Sequence, residues 1–177
     1  VAYLQSDRLP EGFEPGLEGT KFYDPVRGAF AAGVQIAALE FDPATGGTAI
    51  LAWVCVEDAG TIVHPVIVDG QIAGSIAQGI GGAMYEHLVY DDAGNLTTGT
   101  LLDYLMPTSG EIPELTIDHV STPAANPTGV RGVGEGGTLG PNAVVAGALA
   151  DALGVEVDDL PVTPGRVWSL VHGGGRP

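Results

Sequence analysis

From Ala29 to Phe41 the chain is apolar and interrupted only by Gly33, Gln35 and Glu40. The turn formers Asp42, Pro43, Ala44, Thr45, Gly46 and Gly47 follow, and Thr48 to Val56 is apolar again. Two such runs joined by a turn predict a β-hairpin. Almost every residue of both runs is apolar, so both faces need cover, from helices on one side or from another chain. After the loop Glu57 to His64, Pro65 occupies a position that a helix's first turn tolerates, and Ile72, Ile76, Ile80, Met84 and Leu88 recur every four residues. This spacing predicts a long helix. Gly70, Gly74, Gly79, Gly81 and Gly82 weaken it by roughly 1 kcal/mol each relative to Ala unless close packing offsets the loss, so something is expected to approach that backbone closely.

Further on, Asp91 to Asn95 reads as a turn, Leu101 to Met106 and Leu115 to Val120 as short strands, and Ser121 to Gly137 as a long irregular loop. Pro141 opens a second helix, with Val144, Ala148 and Ala152 on one line, Val145 and Leu149 on the next, and Gly154 as its stop. Pro164 to His172 fits a short third helix. Val1 to Thr20 has no period of 2 or 3.6 and carries Pro10, Gly12, Pro15, Gly16 and Gly19 among acids, which predicts an extended arm over residues 1–20. The expected fold class is mixed α+β: a hairpin and short strands packed with two main helices.

A length of 177 residues suits one ordinary domain. With 6 basic against 22 acidic residues the formal charge is −16, and no Lys or Arg run provides a local basic face, which argues against nucleic acid or an anionic membrane as partner. The 45% hydrophobic content distinguishes this acidity from that of a disordered chain. The longest uncharged stretch, Gly70 to Tyr85, is too short and polar to span a bilayer. A single cysteine, Cys55, rules out an internal disulfide framework and fits a reducing, cytoplasmic compartment. The first residue is Val1, which suggests part of a longer chain.

The loop before the second helix holds the candidate chemistry: Gly132, Val133, Gly134, Glu135, Gly136, Gly137. It satisfies G-x-G-x-x-G, but it follows Pro123, Asn126 and Pro127 rather than the first buried strand of a βαβ unit, so a dinucleotide fingerprint is disfavoured. What remains is backbone that a bulky ligand can approach, with Glu135 in its midst. Glu135 is either one more solvated acid or a positioned general base. Gln78, beside Gly79 and Gly81, is either a core amide bonded to backbone or a ligand contact. Arg131 either clamps a phosphate or pairs with one of the many acids. The four histidines have no ligand-like spacing, and Cys55 reads as a small buried residue.

Several segments together resemble the C-terminal part of the molybdenum-binding large subunit of the xanthine oxidase family of molybdenum hydroxylases. They are Glu57-Asp58-Ala59-Gly60 to His64-Pro65, Gly70-Gln71 through Gly74, Ala77-Gln78-Gly79-Ile80-Gly81, Asp103-Tyr104 with Pro107-Thr108, and Gly132 to Gly137. The resemblance covers most of the chain from about Thr20 onward and makes residues 21–177 part of a molybdopterin-binding domain. It implies a molybdenum-pyranopterin cofactor, often the cytosine dinucleotide form in bacterial members. It implies that Gln78, Gly79, Gly81, Gly132, Val133 and Gly134 contact that cofactor. Glu135 matches the family's catalytic base in the hydroxylation of an aldehyde or N-heterocycle carbon with water-derived oxygen. Two-iron two-sulfur clusters and FAD are expected on partner subunits or domains, since one cysteine cannot ligate a cluster. Family large subunits are several times longer, so the remainder of that subunit is an expected partner and the chain is either a fragment or one part of a split subunit. The competing reading is a non-catalytic interaction domain that keeps the fold.

Overall fold

The computed structural model describes residues 5–24 and 27–173. The expected hairpin is there: β1 (Ala32–Phe41) pairs antiparallel with β2 (Thr48–Asp58), with a register shift at Ala38/Leu39. Asp42 ties the connecting turn, accepting from the Ala44 N–H at 2.8 Å and the Thr45 hydroxyl at 2.8 Å. Gly46 completes it at φ +72°, pressed against the backbone of Pro164 and Trp168 so closely that no Cβ would fit.

α1 (Pro65–Met84) leaves the sheet and returns through a long connection to β3 (Leu115–Val120), which lies parallel to β2 with Trp53 opposite Leu115 and Glu57 opposite His119. A parallel neighbour requires such a crossover, and a helix supplies it. The chain then runs through the glycine loop into a single turn α2 (Gly136–Leu139), α3 (Pro141–Leu153) and α4 (Pro164–Val171). Gly154 ends α3 in the left-handed conformation, its N–H on the Ala150 carbonyl.

Two sequence expectations are corrected. α1 stops at Met84 rather than reaching Leu88, because the N–H groups of Tyr85 and Glu86 both close on the Gly81 carbonyl and leave Leu88 outside, 55% exposed. Residues 101–106 form no strand. Thr100 instead gathers a turn, accepting from the N–H groups of Asp103 and Tyr104, and Leu101 and Leu102 face outward. Of the expected N-terminal arm, residues 1–4 lie outside the described residues; the rest carries a 3₁₀ turn at Ser6–Arg8, and Phe13 and Leu17 are exposed.

The core lies between one face of the sheet and the helices. Trp53 and Cys55 of β2 meet Ile72, Ile76 and Ile80 of α1, Val145 and Leu149 of α3, and Val167 of α4. The other face carries Val34, Ile36 and Val54, all exposed, so the chain itself meets the expected two-sided burial on one side only. No helix among the described residues is long and apolar enough to cross a membrane.

Candidate functional site

The loop that carries Glu135 is anchored at both ends. Upstream, Gly60 bridges Val130 and Phe30 bridges Gly132, while the Arg131 N–H donates to the Ala59 carbonyl at 2.9 Å. The Arg131 side chain donates to the carbonyls of Thr122 (Nε, 2.9 Å) and Phe30 (Nη1, 2.7 Å) and stands 3.8 Å from Asp58. Its guanidinium is spent on the fold. Asp58 in turn accepts from the N–H groups of Gly60 and Thr122, and these backbone bonds hold its carboxyl below the usual range. Downstream, Gly137 is buried against α1, where a Cβ would lie 2.7 Å from the Ile72 carbonyl. The Thr138 hydroxyl donates to the Ser75 carbonyl at 3.0 Å, and Gln35 Nε2 of β1 donates to the Gly137 carbonyl at 3.0 Å.

Between these anchors the loop is open. Gly132 and Gly134 are exposed; a Cβ on Gly132 would meet nothing within 4 Å, and one on Gly134 would meet only Gln71 Nε2, at 3.6 Å. Glu135 precedes α2 with its side chain exposed and makes no side-chain cap. Val133 alone turns inward, packing against the core.

α1 presents two different glycine faces. Gly79 is buried, and a Cβ there would lie 2.6 Å from the Pro141 ring of α3; Gly81 is closed off by Glu86 and by Pro107 at 3.1 Å. The close approach expected of these two glycines is thus made by the chain's own side chains. Gly70 and Gly74 have open space beside them and lie on the exposed side of α1 with Gln71 and Gln78. The structure therefore brings Gln71, Gly134 and Glu135 into one neighbourhood, places Gln78 two turns along the same exposed helix face, and sets Gly79 and Gly81 inside. Gln71 was legible as part of a matching stretch but carried no signal that set it above Gln78.

Glu57 is the polar residue that sequence reading passed over. It is 1% exposed on the inward side of β2, and burial raises its carboxyl above the ordinary value, with Asp58 adding to the effect and His119 opposing it. Its oxygens lie where Cβ atoms on Gly33 and Gly136 would stand. Strand alternation with Trp53 and Cys55 was the available signal. Cys55 itself is fully buried, and burial first, then the charge of Glu57, pushes its thiol up to about 11. Among the described residues no group of three or more His, Cys, Asp or Glu is placed to hold a metal ion directly.

The family profile for the molybdopterin cofactor-binding domain matches residues 2–113. The chain belongs to this family. It is 44% identical to the nicotine 6-hydroxylase large subunit of Paenarthrobacter nicotinovorans over 177 aligned residues, 98% of this chain and 22% of that protein. It is 36% identical to the carbon monoxide dehydrogenase large chain of Hydrogenophaga pseudoflava, over 95% of this chain and 21% of that one. The solved quinoline 2-oxidoreductase from Pseudomonas putida 86 superposes with a TM-score of 0.85 at 39% identity, over 97% of this chain and 22% of that chain. This molybdopterin-binding chain thus spans about a fifth of the length of the relatives it matches, and its mixed α/β architecture is that of the matching part of the solved oxidoreductase.

Proposed function

We propose that the chain is the part of a molybdenum hydroxylase large subunit that supplies the general-base glutamate and one side of the cofactor cradle. The observation that carries this is the position of Glu135: an unencumbered carboxylate on a loop fixed at both ends, beside the Gln71 amide and an open helix face. The residues fit such a group. Gly132 and Gly134 leave backbone N–H and C=O groups approachable, Gln71 and Gln78 offer amide donors and acceptors, and Gly70 and Gly74 let a flat ring system lie close to the helix. Gly79 and Gly81 support that face from behind by bringing α3 and the Glu86–Pro107 segment close, rather than by touching the ligand.

When bound, the molybdenum-pyranopterin supplies the redox centre at which an aldehyde or N-heterocycle carbon is oxidised with water-derived oxygen. Glu135 accepts the proton released as the oxygen nucleophile forms, and the anchored loop holds its carboxylate in register with the substrate carbon. Gln71 and Gln78 orient the cofactor through their amides. The cofactor form in this reading is the cytosine dinucleotide, and electrons leave through two-iron two-sulfur clusters and FAD on partner subunits, in the cytoplasm.

Assembly with the rest of the large subunit is supported by surface arithmetic. The chain exposes 11,794 Å² at 18.0 kDa, against about 8,000 Å² for a self-contained protein of that mass. Exposed apolar side chains such as Phe13, Leu17, Val34 and Ile36 contribute to the excess. Glu135→Gln in the assembled complex is expected to lower kcat by about 10²–10⁴-fold, the usual weight of a general base, with molybdenum and pterin content unchanged. Undiminished turnover would favour the non-catalytic interaction domain.

A further inference from the structure

Beneath the Glu135 loop lies a cavity of about 300 Å³, lined by Gln35, Glu57, Gly136, Leu139, Ala143 and Val144 among others. Each of its polar side chains has an oxygen that receives no hydrogen bond among the described residues. Glu57 is 1% exposed, and no N–H or O–H among the described residues donates to its carboxylate. Gln35 gives its Nε2 to the Gly137 carbonyl at 3.0 Å, and because a carbonyl can only accept, this fixes the amide with Oε1 as the remaining atom. Gln35 Oε1 is buried and has no donor. The cavity thus presents the Glu57 carboxylate and Gln35 Oε1 as acceptors to which no group among the described residues donates, at a place where Gly33 and Gly136 make room for the carboxylate.

No cation among the described residues reaches it. Arg131 is engaged by Thr122, Phe30 and Asp58, and Arg166 donates to the Pro161 carbonyl. On the neighbouring strand, His119 turns its Nε2 to Asp69 of α1 at 2.6 Å. The remaining walls, Leu139, Ala143 and Val144, are apolar. A hydrated metal ion gains nothing from such walls, whereas the methylene stem of a long basic side chain packs on them while its head reaches the acceptors. The volume is about ten times the ~30 Å³ that one water occupies in the liquid, room for a side chain rather than a single solvent molecule.

We propose that this cavity is the socket for an Arg or Lys side chain from the remainder of the large subunit, and that the resulting ion pair with Glu57, shared with Gln35 Oε1, locks the Glu135 loop to the rest of the enzyme. This rests on the reading of the chain as part of a longer or split subunit. It goes beyond that reading by naming the contact, its chemistry and its place directly under the base. Glu57 is in this account a positioning residue. A chain this acidic, at −16, draws a basic partner.

The test is an experimental structure of the assembled complex, with its molybdenum content measured on the same sample. The expected result is a guanidinium or ammonium nitrogen of the remainder within 3.5 Å of Glu57 and Gln35 Oε1, with no infrared band of a protonated acid that Glu57→Gln removes. Glu57→Gln, which keeps the shape, is expected to lower the urea midpoint for dissociation, and Glu57→Lys, which sets like charges together, to lower it further. A molybdenum-loaded complex whose socket holds only water, a small ion or a neutral side chain overturns the inference and leaves the functional reading standing. A native assembly with neither molybdenum nor a large-subunit remainder overturns both. If Glu57→Gln does not assemble, the wild-type structure and infrared spectrum still decide.

Discussion

At the residue scale, the decisive contrast is between two acids that the sequence keeps apart and the fold brings together. Glu135 stands between Gly134 and Gly136 in the chain, whereas Glu57 ends the apolar run of β2 and meets Gly33 and Gly136 only in space; one is exposed on the loop and the other is closed in beneath it. Gly136 separates them, and its missing Cβ is what allows the Glu57 carboxylate to lie directly under the Glu135 segment. Gly136→Ala would put a methyl group into that carboxylate, which must swing toward the cavity to make room. It is expected to destabilise the complex by about 1–3 kcal/mol, the usual cost of overpacking, and to lower turnover by shifting the base. Glu57→Ser in the same chain should recover part of the stability, which a double-mutant cycle on thermal unfolding would read. Equal losses in the single and double variants would mean that the two residues do not touch. The carboxylate of Glu57 could have been noticed from strand parity alone. Its isolation from donors could not, because that depends on Gln35 and Gly136 arriving from distant parts of the chain.

At the element scale, the regular pieces were written plainly in the sequence. The hairpin and α3, with their turn formers and with Pro141 and Gly154 as boundary residues, follow from local chemistry, and β3 matches its expected span Leu115 to Val120. The misses have local causes of another kind. The four-residue period runs on to Leu88, but the chain folds back at Gly81, and a periodic count does not register which carbonyl the next N–H groups choose. The glycines of α1 show the same limit, since composition marks them as costly without saying which are filled from inside. Gly79→Ala meets the rigid Pro141 ring at 2.6 Å and is expected to force α1 and α3 apart, at about 1–3 kcal/mol. Gly74→Ala meets open space and on propensity alone gains up to about 1 kcal/mol. In the assembled enzyme, however, it should reduce bound pterin, because the cofactor is expected against that face. Thermal melting together with pterin content measures both, and a Gly74→Ala complex with full pterin would remove the cofactor from that face.

At the scale of the whole molecule, the sheet is covered by the chain's own helices on one face only. One face of the sheet carries the helices; the other leaves Val34 and Ile36 about two-thirds exposed. A contiguous apolar sheet face of this kind marks a surface that another layer packs on. Ile36→Glu, which touches nothing in the core, is expected to leave the chain's own packing intact and to abolish its retention in the complex, read by co-purification of the other chains. Retention unchanged would place the partner elsewhere. That both faces of the hairpin call for cover was legible from its hydrophobicity, while which face the chain's own helices would leave open was not, because it is decided by where α1 and α3 pack. These strands, the socket and the loop all serve one claim, that this chain is one wall of a molybdenum-pterin site. The most direct measurement is molybdenum and pterin analysis of the native complex, with every co-purifying chain identified by mass. Molybdenum and pterin in an assembly that also carries iron is the expected result; a complete native assembly containing no molybdenum would contradict it.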